Sequence, residues 1–149
     1  MKETVVVDST CLIGLERIGR LDVLPALFDP IFIPPEVARE FGTSLPWLRT
    51  EAPINLALVS ALKMLVDDGE AEAIALASER GHKIVLDDRQ ARLIANNLGL
   101  KIIGTVGILV KAKRGGILLS LKPVLEDLEA HGFYLGSKLK EEALRLVGE

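Results

Sequence analysis

Four short apolar runs punctuate the chain, at Val5–Val7, Ile31–Ile33, Ile84–Leu86 and Ile102–Ile103, and segments of helical spacing fill the intervals. Each run is too short for a helix, mostly β-branched, and bounded by polar residues, proline or glycine. That is the pattern of a strand buried on both faces. Strands that alternate with helices form βαβ units around a parallel sheet, and right-handed crossovers place the helices on both faces. The expected fold is therefore α/β, a three-layer α/β/α sandwich with a central parallel sheet of four or five strands. The 149 residues suffice for one domain, 1–149, with one sizeable core.

The helical segments carry their own punctuation. Ser9 or Thr10 is positioned to cap a helix that ends near Gly19, and "RLDVLPALF" reads as a second, short one. Pro35 suits the first turn of a helix through Phe41, stopped by Gly42. Residues 43–53, with Pro46 and Pro53, are the least regular and are expected to form a mobile loop. Helical spacing resumes from Leu56 to Val66, and "DDGEAEAIALASERG" is a helix with Gly81 as its stop. Helices are expected over 89–98, 105–114 and "LKPVLEDLEAHG", with a last one opened by Ser137.

Composition excludes several classes of protein. No apolar run reaches the ~18 residues that span a bilayer, and one Lys followed by a glutamate is no signal peptide. No membrane contact and a cytoplasmic location are expected. Cys11 is the only cysteine; with His82 and His131 it is too sparse for a structural zinc site, and its Leu12 and Ile13 neighbours mark a packed core thiol. The net charge of −3 is unevenly spread. Residues 1–88 carry 8 basic and 15 acidic residues, whereas 89–149 carry 10 basic and 6 acidic. Seven bases and no acid occupy 89–125 (Arg89, Arg92, Lys101, Lys111, Lys113, Arg114, Lys122). An acidic part suits cations and a basic part a polyanion; a solvated face is the other reading of the bases.

Two of the apolar runs end in aspartate, Val7 leading to Asp8 and Leu86 to Asp87-Asp88. A lone buried carboxylate costs several kcal/mol unless paired, hydrogen-bonded or metal-bound. In a parallel sheet the strand C-termini share one edge, where ligands bind at the switch point in strand order. On neighbouring strands the two carboxylates would lie roughly 5 Å apart and repel, raising one pKa. A divalent cation relieves that repulsion, and all-oxygen ligation suits Mg²⁺ or Mn²⁺. At about 100° per residue, Glu70 shares the azimuth of Ile74 and Ala77, and Glu72 points about 200° away, so Glu70 is the candidate third acid. Asp67-x-x-Glu70 also reads as a capping box, and Asp88 as the N-cap of helix 89–98, leaving Asp87 to face a metal. Glu36 and Glu40 lie one turn apart on the flank of Val37, and spacing does not choose between them.

The ordered set strand-Asp8-Ser9-Thr10, "IPPEVAREF", "GEAEAIALA", "IVLDDRQAR" and "GTVGILVKAKRGG" resembles the PIN domain, in the subgroup of small prokaryotic proteins related to VapC-type toxins. The resemblance covers nearly the whole chain. It implies an α/β/α nuclease in which three or four acids bind Mg²⁺ or Mn²⁺ and cut single-stranded RNA. Carried over residue by residue, it assigns Asp8, Glu40 and Glu70 to the acidic site, the last acidic role to Asp87 or Asp88, and support of Asp8 to Thr10. Leu86 departs from the pattern, since many such toxins have threonine two residues before the last acid. The resemblance further implies a homodimer and an antitoxin partner. RNA contacts are expected from the basic stretch, chiefly Arg89, Lys111, Lys113 and Arg114. Six aromatic residues argue against extensive base stacking. The alternatives are a PIN-like module that binds without cutting, and an Asp-based phosphotransfer domain with Asp8 as nucleophile.

Overall fold

The computed structural model describes residues 2–149, with five strands and nine helices among them. The strands are β1 (Glu3–Val7), β2 (Phe28–Ile33), β3 (Leu48–Thr50), β4 (Lys83–Val85) and β5 (Ile102–Ile103). All pair in parallel in the order β3-β2-β1-β4-β5. The chain builds outward from β1 to one edge, then returns to start the other side at β4, so the switch point lies between β1 and β4. The helices are α1 (Ser9–Arg17), α2 (Val23–Leu27), α3 (Pro35–Phe41), α4 (Leu56–Leu62), α5 (Asp68–Arg80), α6 (Arg89–Asn97), α7 (Thr105–Arg114), α8 (Lys122–Ala130) and α9 (Ser137–Leu146).

The strand period of two divides the interior. Val5, Val7, Ile31, Ile33 and Val85 join a core with apolar residues of α1, α7 and α8. Val6, Phe32, Ile84 and Leu86 join a second with α4, α5 and α6. β1, β2, β4 and β5 thus contribute to both layers, which is why each reads as an unbroken apolar run instead of an alternating one. Helix α5 is the most enclosed helix. Ala71 and the whole run Ala73–Ala77 are fully buried, and its alanines let the helix approach both the sheet and α3 closely.

The irregular stretch at 43–53 holds a strand. Residues Leu48–Thr50 form β3, in register with Ile31–Ile33, so the segment is a sheet edge and not simply a loop. Three residues beside Pro46 are too few for periodicity to reveal. Asp8, rather than Ser9 or Thr10, takes the N-cap position of α1, and its carboxylate makes no capping hydrogen bond. No described helix is long and apolar enough to cross a membrane.

Overpacking a filled interior costs roughly 1–3 kcal/mol. Ala75→Leu should lower stability by about that amount in urea denaturation. Leu119→Ala, at a side chain 96% exposed, should change it by less than ~0.5 kcal/mol.

Candidate active site

Carboxylates collect where β1 and β4 end. Asp8 directly follows β1 and is only 3% exposed, and its Oδ1 has no hydrogen-bond partner. Its N–H donates to the Val85 carbonyl across the switch point (3.3 Å). Glu70, 7% exposed, sits in the first turn of α5. It accepts from the Asp67 N–H (3.2 Å) while the Asp67 carboxylate accepts from the Glu70 N–H (2.8 Å), forming the capping box. This orientation also places Glu70 within the field of Asp8. Glu40 arrives from the last turn of α3. Its carboxylate lies so close to Gly69 that a Cβ there would overlap Oε1.

The neighbouring glutamates serve other ends. Glu36 pairs with Arg39, and Glu72 accepts from the Glu36 N–H (3.0 Å), tying α5 to the start of α3. Asp88 caps α6 by accepting from the Ala91 N–H (2.9 Å). Asp87 uses both oxygens on Thr105, from its N–H (2.8 Å) and its hydroxyl (2.6 Å), and so fastens the N-terminus of α7. Thr10 is exposed and makes no hydrogen bond to Asp8; it lines a cavity with Asp87 and Asp88.

Six acids therefore share this edge: Asp8, Glu40, Asp67, Glu70, Asp87 and Asp88. None takes part in an ion pair among the described residues. Burial, then the charges of Asp67, Glu40 and Asp87, pushes the Asp8 carboxyl up to about 7. Burial, then Asp67 and Asp8, pushes Glu70 up to about 8. Glu40 is raised by burial and by Asp67. Burial also raises the Cys11 thiol far above its ordinary range, which suits a core thiol.

A family model described as a PIN domain matches residues 4–149. The chain is a PIN-domain protein. No curated protein matches it. PIN domains are generally nucleases and generally use divalent metal ions, and the donors on this PIN domain suit such an ion. They are all oxygens, they lack cationic partners, and one buried oxygen is orphaned. Asp8 and Glu70 are the two buried acids of the group, Asp67 acts on both, and Glu40 acts on Asp8. Among the described residues, however, no three acidic, His or Cys side chains stand close enough to hold a metal ion.

Asp67 and Thr105 did not emerge from the sequence as site residues. Asp67 was visible only as a cap, and capping and membership in the acid cluster turn out to be compatible. Thr105 opens α7 at the rim directly after β5, a position equivalent in topology to the residues that follow β1 and β4. The basic residues are distributed differently from the acids. Arg92 donates to the Leu86 carbonyl (2.7 Å) near the rim, and Arg89 opens α6 there. Lys111 instead pairs with Glu3 (3.6 Å) and covers Phe28, while Arg114 donates to the Leu146 carbonyl (3.2 Å). Helix α7 begins at the acidic edge and runs about 15 Å away from it. Lys111, Lys113 and Arg114 consequently end at the opposite edge of the sheet.

The raised carboxyls make stability fall with pH. Below about 4, Asp8 and Glu70 are protonated in both folded and unfolded chains. From there to about 8 the folded protein retains protons that the unfolded chain has released, at about 1.4 kcal/mol per pH unit per group. In metal-free buffer, Tm should decline from pH 5 to pH 8 and Asp8→Asn should flatten the decline. Calorimetry in which the substitution lowers Tm at pH 8 would contradict this electrostatic reading. Added Mn²⁺ should raise Tm more at pH 8 than at pH 5.

Proposed function

We propose that the protein is a metal-dependent endoribonuclease that hydrolyses phosphodiester bonds of single-stranded RNA, with Mg²⁺ or Mn²⁺ held at Asp8 and Glu70. The observation that carries this is the orphaned, buried Oδ1 of Asp8 within a group of carboxylates that form no ion pair among the described residues. A bound divalent ion supplies a Lewis acid that activates water and stabilises the leaving oxygen. The chain supplies the rest. Asp8 and Glu70 are held rigidly by β1 and the α5 capping box. Glu40, exposed at the mouth with its carboxyl raised, would accept a proton from incoming water. Asp87 holds α7 in position through Thr105, and Asp88 orients α6 so that Arg89 stands at the same edge.

One observation favours a second reading, a PIN module that binds nucleic acid with little or no cutting. Both Asp87 oxygens are engaged by Thr105, and no three acids stand within reach of one ion. Substitution separates the two readings. Asp8→Asn and excess chelator should each abolish RNA cleavage by the purified protein. Glu70→Gln should cost far more activity than Glu72→Gln, whereas Glu72→Gln should be the more damaging to Tm, because Glu72 braces α3. Undiminished cleavage by Asp8→Asn would sink the assignment of the site to Asp8, and RNA binding by the unsubstituted protein with no cleavage in added Mn²⁺ would leave the binding module.

The same proposal includes a toxin–antitoxin setting and a homodimer. Support comes from the apolar side chains exposed around α4, namely Ile54, Leu56, Met64 and Leu65, which suit a protein contact better than water. Light scattering at micromolar concentration should give the mass of a dimer, and Met64→Asp should shift it toward the monomer. A monomeric mass for the unsubstituted protein would refute the dimer.

A further inference from the structure

Beside Asp87 and Asp88 opens a cavity of about 440 Å³, between α1 and the connection from α8 to α9. None of the acid chemistry above requires it. Its construction is specific. A Cβ on Gly14 would lie 3.0 Å from Cδ2 of Phe133, so the glycine is what lets that ring seat on α1. Gly132, at φ +92°, turns the chain so that His131, Phe133 and Tyr134 all reach the cavity. Tyr134, the only tyrosine in the chain, stands 88% exposed at the mouth. An aromatic ring left that bare has no role in the core.

Two polar groups on the wall, one nitrogen of His131 and the Arg17 guanidinium, have no partner among the described residues. Nδ1 of His131 lies 2.9 Å from the Asp127 carbonyl oxygen. A carbonyl only accepts, so Nδ1 carries the hydrogen and Nε2 is left for a ligand. Arg17 enters no ion pair among the described residues. At the inner end, Asp87 and Asp88 accept from the N–H groups at the starts of α7 and α6, and those helix N-termini offset part of their repulsion of an anion.

We infer that this cavity is a nucleotide subsite, which takes the nucleotide next to the scissile bond with its base against Phe133 and Tyr134 and its phosphate on Arg17. The proposal rests on the nuclease reading given above. A volume of this size suits one nucleotide, and the pairing of a stacking ring with a guanidinium is the usual means of gripping a single strand. His131 Nε2 and the Thr10 hydroxyl lie where a base edge can be read. The subsite therefore confers selectivity at one position flanking the cut, although the chain has few aromatic residues in total.

The test uses the full chain and labelled single-stranded RNA of mixed sequence, with binding followed by anisotropy in chelator and cut sites mapped with Mn²⁺ present. Tyr134→Ala should weaken binding roughly 5- to 100-fold and relax the base preference at one flanking position, and Tyr134→Phe should restore both. Arg17→Ala should weaken binding and make the salt slope of log K shallower by about 0.7. Leu119→Ala should change nothing. If Tyr134→Ala and Arg17→Ala bind and choose cut sites as the unsubstituted protein does, while Asp8→Asn abolishes cutting, the subsite is overturned and the nuclease stands. If the unsubstituted protein neither binds nor cuts these strands, the nuclease reading fails and takes the subsite with it.

Discussion

The parallel pairing of β1 with β4 is the constraint on which the site depends. Their register, Val7 opposite Val85, ends both strands at one level and delivers Asp8 and Asp87 to the same rim. Because β2 and β3 extend one way from β1 while β4 and β5 extend the other, the connections diverge there and leave a crevice. Into it α5 inserts the N-terminal turn that carries Asp67 and Glu70. The resulting concentration of negative charge is a cost that folding tolerates through protonation, as the raised Asp8 and Glu70 carboxyls indicate. A bound cation would remove the same cost without neutralising the acids.

Pairs of adjacent acids divide the labour. Asp87 anchors α7 and Asp88 caps α6; Glu70 faces the crevice and Glu72 braces α3. In each pair the backbone turns side chains one or two residues apart to different partners, so two residues of identical chemistry do different work. Thr105 belongs to this scheme as much as the acids do. Its N–H and hydroxyl each engage one oxygen of Asp87 and fix where α7 begins.

Much of this was legible in the residues. The strands announced themselves as short β-branched runs, the Asp67-x-x-Glu70 spacing marked the capping box, and helical phase separated Glu70 from Glu72. Edge strand β3 was hidden because three residues beside a proline carry no period. The course of the basic residues was hidden for a different reason. A count of charges along 89–125 has no direction, and only the antiparallel run of α7 against the sheet shows that Lys111, Lys113 and Arg114 leave the rim instead of lining it. The cavity walled by Gly14 and Phe133 joins residues far apart in the chain, and no local pattern anticipates such a contact.

The bond from the Glu36 N–H to Glu72 carries a mechanical implication. It clamps α3 to α5, so Glu40, Asp67 and Glu70 ride on one rigid block, while Asp8, Asp87 and Asp88 belong to the sheet. The acid cluster is therefore the gap between two jaws, and its aperture is set by how closely the small alanines of α5 seat the block on β1 and β4. A change of one methyl group in that seam would alter the gap between the carboxylates without touching any of them.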